Sequence, residues 1–276
     1  MNSKSAKQPI QILQITDTHL YGVREGTLLK LNTHDSLAMV LDTVEKNEPH
    51  IDLILATGDI AQDGSEAAYR HFIHYMERLK APFRWIPGNH DIPAVMESVA
   101  RSSETAQDAG RKIEQIGNWI IIMLDSSRLG HVHGFLDRSE MSFLQTTLSE
   151  MQANNTAEHC LVCLHHNPIP GSAGWMKDIG LRNDREFLEL VSKFDRVRGV
   201  VYGHIHQELD FMFNNIRLFC TPSTCIQFKP EVIDFALDNL NPGYRRLQLH
   251  ADGSIESEVI RAEGQALKAD FSSAGY

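Results

Sequence analysis

Five short apolar segments of the chain each end in side chains that can bind a metal ion. The last of them ends in Gly203-His204-Ile205-His206, and in an extended chain His204 and His206 point to the same face. A single His-x-His pair is a weak motif, so the other four endings decide its meaning. They are Asp17-Thr18-His19 after "IQILQIT", Gly58-Asp59 after "IDLILAT", Gly88-Asn89-His90-Asp91 after "FRWIP", and His165-His166-Asn167 after "HCLVCL".

Each of these endings also has an ordinary structural explanation. Asp17 could stabilise a turn, Asp59 could belong to a loop, Asn89 could adopt a left-handed turn, and the histidines could make hydrogen bonds near the core. However, the carboxyl ends of parallel strands meet at one edge of an open α/β sheet, where ligands bind. Five coincidences at the same structural position favour one joint site.

The joint site contains seven donors, which are too many for one tetrahedral zinc ion and suit two ions that share a carboxylate. With Asp59 as the bridge, each ion has four protein contacts and keeps room for water and substrate. Two divalent ions, two aspartates and one hydroxide sum to +1, which matches a singly charged phosphodiester. Nitrogen and oxygen ligands without thiolate suit manganese, iron, cobalt or catalytic zinc. The donors are Asp17, His19, Asp59, Asn89, His165, His204 and His206.

Alternating strands and helices must position these donors. The pattern predicts strands at 10–16, 51–57, 83–87, 159–164 and 197–202, with two more within 113–125 around a turn at Gly117-Asn118. It predicts helices at 33–46 and 65–79, from Pro93, from a Ser139 cap to Met151, and from Asn183. From 209 onward, "LDFMF", "IRLFC", "VIDFAL", "YRRLQL" and "IESEVI" indicate an antiparallel tail. We expect one domain over 1–276, with metal motifs at 17–206, a strand-rich part at 207–262 and a flexible end at 263–276.

Composition limits the partners. Lys and Arg number 26 against 36 Asp and Glu, a net charge of −10, which disfavours binding to nucleic-acid polymers or anionic membranes. No segment has the length of a membrane span or of a secretory signal core, so we expect a cytoplasmic protein. Four cysteines fit that compartment as reduced, buried residues. Cys160 and Cys163 face opposite sides of a strand, and Cys220 and Cys225 could form only part of a site.

The motif set D-x-H, GD, GNHD, H and GHxH resembles that of the calcineurin-like metallophosphoesterases. The stretches "ILQITDTHL", "TPSTCIQFKP" and the final "GY" further resemble the class III cyclic-nucleotide phosphodiesterases. The resemblance implies a four-layer α/β/β/α sandwich with two mixed central sheets and a dinuclear iron or manganese centre. It also implies hydrolysis of 3′,5′-cyclic AMP to 5′-AMP by a monomer or dimer. "TPSTCIQFKP" could shape the substrate pocket or only pack the sheet.

Carried onto this chain, the resemblance assigns Asp17, His19 and His206 to one metal, Asn89, His165 and His204 to the other, and Asp59 to both. Periodicity leaves the choice between His165 and His166 open, whereas the resemblance selects His165 and gives His166 a supporting or packing role. The implied catalytic residues are Asp59, His90 and Asp91. We hypothesise that His90 contacts the phosphate and protonates the leaving 3′ oxygen, while Asp91 orients His90, caps the next helix, or does both. The phosphate would lie against His19, Asp59, Asn89, His90 and His206.

Two other functions compete with this one. A related hydrolase could act on a nucleoside polyphosphate, another diester or a phosphomonoester, but the more highly charged of these substrates call for more basic residues than the motif loops offer. The candidates are Arg24, Lys30, Lys177 and Arg182. A scaffold without catalysis, or a structural metal module, would not require seven donors with open coordination positions.

Overall fold

Two β-sheets packed face to face form the centre of the protein. In a computed structural model, which describes residues 8–264 and 268–275, the strands are β1 (Ile10–Ile15), β2 (Thr27–Leu28), β3 (Leu31–Asn32), β4 (Leu53–Thr57), β5 (Phe83–Ile86), β6 (Ile113–Ile116), β7 (Trp119–Met123), β8 (His159–Cys163), β9 (Val197–Tyr202), β10 (Leu209–Phe213), β11 (Ile216–Cys220), β12 (Gln227–Phe228), β13 (Leu237–Asp238), β14 (Gly243–Leu249) and β15 (Ile255–Arg261). The helices are α1 (Thr33–Asn47), α2 (Glu66–Glu77), α3 (Pro93–Arg101), α4 (Arg138–Asn154) and α5 (Asp184–Val191), with a 3₁₀ turn at Gly174–Met176.

Both sheets are mixed. The first has the order β15-β14-β1-β4-β5, in which β1, β4 and β5 are parallel and β14 and β15 are antiparallel. The second has the order β10-β11-β9-β8-β7-β6, in which β7, β8, β9 and β11 are parallel. The prediction of an antiparallel tail is therefore wrong for β11, which pairs in parallel with β9. The last two strands instead extend the first sheet through β1.

Apolar side chains fill three layers between the four layers of structure. Between the sheets lies a cluster that includes Ile12, Leu55, Trp119, Leu161 and Phe219. Helices α1, α2 and α3 cover the outer face of the first sheet, and α4 and α5 cover that of the second. The arrangement confirms the predicted four-layer sandwich. Because both faces of each sheet are buried at its centre, the central strands β4, β7 and β8 are nearly continuous apolar runs, whereas the edge strands β6 and β10 alternate.

The chain departs from the predicted elements at several places. The N-cap of α4 is Asp137, whose carboxylate accepts from the Glu140 amide at 2.9 Å, and Ser139 only donates its hydroxyl to Asp137. An aspartate at this position satisfies a free helical N–H and complements the helix dipole. "VIDFAL" contributes only one residue, Leu237, to a strand, in β13 paired with β12. The short β2-β3 hairpin was not predicted.

The C-terminal segment lies partly outside the described residues. Of the end predicted to be flexible, 265–267 and 276 are not described. The Asp270 amide donates to the Leu29 carbonyl at 2.8 Å, and the Asp270 carboxylate lies 2.7 Å from Lys30 Nζ. Across the described residues, no helix combines the length and the apolar character needed to cross a bilayer.

Candidate metal centre

The five motif loops leave the carboxyl ends of β1, β4, β5, β8 and β9 and meet at one edge of the two sheets. Backbone hydrogen bonds join neighbouring loops within each sheet, and the His204 amide, which donates to Asp17 Oδ2 at 3.1 Å, joins the loops of the two sheets. Asp17 N donates to Gly58 O at 3.0 Å, His19 N donates to Asp59 O at 2.9 Å, and Gly203 N donates to His165 O at 3.1 Å. The loops therefore form one rigid platform, although 189 positions separate the first donor from the last, from 17 to 206.

The structure brings the predicted donors together in two adjoining groups. In one group, His206 Nε2 lies 3.3 Å from Asp17 Oδ1 and 3.1 Å from His19 Nε2. In the other, His204 Nδ1 lies 3.2 Å from His165 Nε2. Asp59 stands between them, because its Oδ2 lies 3.3 Å from His165 Nε2 and 3.8 Å from His19 Nε2.

Asn89 lies in the loop after β5, between Gly88 and His90, and its side chain is the most informative of the predicted donors. Its side-chain carbonyl oxygen is buried and accepts no hydrogen bond from the described residues. Leaving such an acceptor unsatisfied costs about 1–3 kcal/mol, so a cation partner would stabilise it. The residue as a whole is half-buried, whereas the aspartate and histidine donors are at most 5 % exposed.

The four histidine donors each direct one ring nitrogen to the centre. The far nitrogen of each ring is next to an oxygen acceptor, which fixes the proton there: His19 Nδ1 to Gln62 Oε1 at 2.6 Å, His165 Nδ1 to Thr57 O at 2.8 Å, His206 Nδ1 to Ile226 O at 2.9 Å, and His204 Nε2 to Ile179 O at 2.9 Å. Metal-binding histidines use the same arrangement, in which an outer acceptor sets the tautomer and the ring orientation. His204 therefore offers Nδ1, and the other three histidines offer Nε2.

The backbone at these donors is strained. Asp17, His19, Asp59, His204 and His206 have φ values of 54°, 46°, 49°, 72° and 47°, in the left-handed region that side chains other than glycine seldom adopt. Each such residue costs of order 1 kcal/mol or more, and such residues cluster at functional sites. Five in one cluster indicate that the side-chain directions are under functional constraint.

Burial and the charges of neighbouring donors act in opposite directions on the pKa values of Asp17 and His165. Burial would raise the pKa of Asp17, but His206 and His165 outweigh it and lower that pKa to about 2. Burial lowers the pKa of His19 and of His204 to about 3. Burial would also lower the pKa of His165, but Asp59 and Asp17 raise it to about 9. Before an ion binds, these pKa values favour two carboxylates, neutral His19 and His204, and a protonated His165 next to Asp59.

His90 and Asp91 have distinct surroundings. The His90 ring is half-buried with its centroid 5.0 Å from that of His19, and the His90 amide donates to Asp59 Oδ1 at 2.9 Å. The Asp91 carboxylate accepts from the amides of Ile60, Ala61 and Gly88 at 3.1, 2.9 and 2.8 Å. It therefore joins the loops after β4 and β5. The N-cap of α3 is Ile92, without a side-chain cap, so the hypothesis that Asp91 caps this helix is wrong.

The stretch "TPSTCIQFKP" supports the ligand loops. Ser223 Oγ donates to Asp17 O at 2.7 Å, Thr224 N donates to Thr16 O at 3.2 Å, and Phe228 stacks on His206 with centroids 4.2 Å apart. Cys225 Sγ lies within 4.8 Å of the His19 and His206 nitrogens, closer to the donors than the sequence indicated. Burial raises the pKa of this thiol to about 12, so it is a protonated thiol near neutral pH. All four cysteines are free and buried.

Sequence reasoning missed several supporting residues. Gln62 and Thr57 orient His19 and His165, and the carbonyls of Ile179 and Ile226 orient the other two histidines. Gln62 lies three positions after Asp59 in the same motif loop, which was the one available signal. The backbone carbonyls carry no signal, because every residue has one.

Comparison with known proteins gives a family match over residues 10–208, to the calcineurin-like phosphoesterases. The 3′,5′-cyclic adenosine monophosphate phosphodiesterase CpdA of Escherichia coli strain K12 is 42% identical over 271 residues, covering 97% of this chain and 95% of that protein. The protein of the same name from Pseudomonas aeruginosa is 38% identical and covers 100% of this chain and 98% of its own. A 3′,5′-cyclic-nucleotide phosphodiesterase of Nostoc sp. is 34% identical, covering 92% of this chain and 93% of that protein.

Solved structures share the fold at much lower identity. A dimetal phosphatase from Danio rerio superposes with a TM-score of 0.62 at 14% identity, over 93% of this chain and 100% of that chain. A purple acid phosphatase from yellow lupin superposes with a TM-score of 0.60 at 15% identity, over 94% of this chain and 52% of that one. At these identities the similarity concerns the fold alone.

Proposed function

The chain belongs to the calcineurin-like phosphoesterase family, and we propose that it hydrolyses 3′,5′-cyclic AMP to 5′-AMP at a dinuclear metal centre. The observation that carries this proposal is the convergence of six aspartate and histidine donors, together with a buried, unsatisfied Asn89 oxygen in one of the same motif loops. The cyclic-nucleotide substrate is supported by the names of relatives that match nearly the full chain.

We propose that Asp17, His19 and His206 hold one ion, that Asn89, His165 and His204 hold the other, and that Asp59 bridges them. The distances support this division, because each group is internally close and Asp59 Oδ2 lies within 3.8 Å of a histidine in each. Iron or manganese suits the nitrogen and oxygen donors, and zinc or cobalt is compatible with them. When bound, the ions supply positive charge that polarises the phosphoryl group and makes water nucleophilic near neutral pH.

The chain's own residues position the phosphate and complete the proton transfer. His19, Asp59, Asn89, His90 and His206 surround the place where the phosphate would bind. His90 is the half-buried imidazole of the site, next to His19, so it can meet a substrate entering from solvent. We assign it the contact with the phosphate and the proton delivered to the leaving 3′ oxygen. Asp91 acts as a positioning residue, because its carboxylate fixes the backbone of the loops that carry Asp59 and His90.

Charge favours a singly charged diester over a polyphosphate. Two of the basic residues considered near the motif loops are already paired, since Lys30 lies 2.7 Å from Asp270 and Arg182 lies 3.1 Å from Asp178. A nucleoside polyphosphate would need additional cations of this kind. We further propose action in the cytoplasm, as a monomer or dimer, on a small cyclic nucleotide rather than on a nucleic acid or a membrane. The net charge of −10 and the reduced, buried cysteines support this.

The test combines metal analysis of the purified protein with a substrate panel of cyclic AMP, cyclic GMP, 2′,3′-cyclic AMP, bis-p-nitrophenyl phosphate and p-nitrophenyl phosphate. We expect two ions per chain and cyclic AMP as the best substrate, with 5′-AMP as the product. Preference for the monoester would contradict the diesterase assignment. A fully metal-loaded protein that hydrolyses none of the panel would contradict enzymatic function altogether.

A further inference from the structure

His166 is a fully buried histidine that follows the predicted donor His165, and one of its ring nitrogens lies within 4.8 Å of nitrogens of His165 and His204. Its Nδ1 accepts from the Ser126 hydroxyl at 2.8 Å, and its Nε2 donates to the Val132 carbonyl at 3.1 Å. Its ring centroid lies 4.7 Å from that of His204 and 4.9 Å from that of His165. Nε2 therefore carries the proton and the single lone pair, on Nδ1, accepts from Ser126, so His166 has no lone pair left for an ion.

Both partners of His166 belong to one loop, which is joined to a second. We name residues 126–136 and 179–183 the paired loops. Gly134 N donates to Gly180 O at 3.2 Å, and Arg182 N donates to Gly134 O at 2.9 Å. The Asn183 side chain closes the far end by accepting from Leu136 N at 3.0 Å and donating to Leu136 O at 2.8 Å.

The paired loops attach to two neighbouring histidines. His166 holds Val132 in the first loop, while the donor His204 holds the Ile179 carbonyl in the second at 2.9 Å. The fit is close, since a Cβ on Gly134 would lie 2.3 Å from His166 Cγ. The position of the paired loops is thus fixed by the same rings that build the centre.

The outer part of the first loop is exposed, although the Arg128 guanidinium lies over the Phe135 ring at 5.4 Å. Leu129 is 80% exposed and Val132 is 55% exposed, although both are apolar. The neighbouring Arg128 and His131 are also exposed. A loop with exposed apolar side chains and an arginine, joined to the proposed phosphate site through Val132 and His166, suits the nucleoside half of a cyclic nucleotide, which has an aromatic base and polar edges.

We propose that His166 is a positioning residue that docks the paired loops against the metal centre, where they form a wall of the substrate site and set substrate affinity. Substrate would bind tightly only to the docked state, so a fall in the docked fraction raises the apparent dissociation constant in proportion. We expect the effect in KM rather than in kcat, because the residues assigned to the phosphate and to the leaving group do not include His166. This inference rests on the proposed function for its substrate, but the docking itself can be measured without substrate.

The test compares His166→Phe, which keeps a ring but loses both hydrogen bonds, with His166→Gln, which keeps a donor and an acceptor. For the metal-loaded Phe variant we expect unchanged metal content, faster amide hydrogen exchange in 127–135, a KM for cyclic AMP raised roughly tenfold and a kcat within about threefold. The Gln variant should recover most of the change in KM. His159→Phe is the matched control, because His159 lies at the other end of β8 and bonds one carbonyl, that of Ala251, at 3.1 Å.

Loss of metal from His166→Phe would overturn the proposal and make His166 a ligand. Unchanged exchange and unchanged KM would also overturn it and leave His166 a packing residue. If the Phe variant fails to fold, Ser126→Ala removes one partner only and must shift exchange and KM in the same direction. If the wild-type protein does not hydrolyse cyclic AMP, the proposed function fails, while faster exchange in 127–135 still supports the docking role.

Discussion

The Nε2 atoms of His19 and His206 face each other at 3.1 Å, while the Nδ1 of each ring is next to a carbonyl oxygen. Two lone pairs at this distance repel each other unless a cation lies against them. The carbonyl partners, from Gln62 and Ile226, thus prepare the pair for an ion by placing both protons on the far side.

Gln62→Ala should weaken metal binding without abolishing it. The His19 ring would lose the acceptor that fixes its tautomer, and loss of such a partner lowers metal affinity by about 10–100-fold. Calorimetric metal titration of the metal-free protein measures this. Gln115→Ala, on the exposed edge strand β6, is the control and should bind metal as the wild type does. Equal affinity for the two variants would contradict the role of Gln62.

Asp59→Ala should remove metal and activity together, since the proposed bridge serves both ions. The same change also removes the acceptor of the His90 amide. Metal analysis after gel filtration, with turnover of bis-p-nitrophenyl phosphate, measures both effects. Asp63→Ala in the same loop is the control for removing an exposed carboxylate. An active Asp59→Ala protein with two ions would refute the bridging role.

His90→Ala should keep its metals and turn over slowly. Loss of a general acid lowers kcat by about 10²–10⁴-fold, and the loss should be smaller for p-nitrophenolate, a leaving group that needs little protonation. Comparing kcat for cyclic AMP and bis-p-nitrophenyl phosphate therefore separates proton donation from phosphate binding. The exposed His74→Ala in α2 is the control. Metal loss in His90→Ala would show that His90 is a ligand.

Metal binding should release about one proton per chain near pH 7.5. Asp59 and Asp17 outweigh burial and raise the pKa of His165 to about 9 in the metal-free protein, whereas burial keeps His19 and His204 neutral with pKa values of about 3. An incoming ion must displace the His165 proton, so affinity should rise with pH up to about 9. Calorimetry in two buffers of different ionisation enthalpy counts the protons. If metal binding released no proton at this pH, the result would contradict a protonated His165.

The raised pKa of His165 also makes the folding stability of the protein depend on pH. The folded-state pKa of His165 lies above its unfolded value of 6.5, so its stabilising effect is complete below that value. It is lost as the pH rises through about 9, because the paired proton leaves. Denaturant unfolding of the metal-free protein should accordingly show lower stability at alkaline pH, and His165→Gln should reduce this dependence.

Gly203→Ala should disrupt the centre. A Cβ there would lie 2.2 Å from Thr16 Oγ1 and 2.4 Å from Asp17 Oδ2, so the Asp17 carboxylate must move. We expect lower metal content and a lower melting temperature. Gly110→Ala is the matched control, because its Cβ would meet nothing within 4 Å. A metal-loaded, active Gly203→Ala protein would contradict the conclusion that position 203 lies too close to Asp17 for a side chain.

The positions of the donors could be predicted from the sequence because they depend on local features. Each follows an apolar run that is long enough to be a buried strand, and parallel strands bring their carboxyl ends to one edge. The opposite orientations of Cys160 and Cys163 follow from the alternation of side chains along a strand, and the structure places them in different core layers.

Other features depended on contacts between distant segments and could not be read from local pattern. The sequence alone predicts neither the pairing of β11 with β9 nor the addition of β14 to β1, because period-2 alternation does not specify a partner strand. The bonds of Asp91 to Ile60 and Ala61 likewise require the loops after β4 and β5 to be packed together.

Residue types and spacing therefore determined which side chains could bind metal, since imidazole and carboxylate chemistry is fixed by the residue itself. Only the tertiary structure decided which nitrogen of each histidine faces the centre, and that His166 bonds Ser126 and Val132 instead. The physical reason is that a ring's tautomer and direction are set by its hydrogen-bond acceptors. Here those acceptors are mostly backbone carbonyls brought in by other parts of the fold.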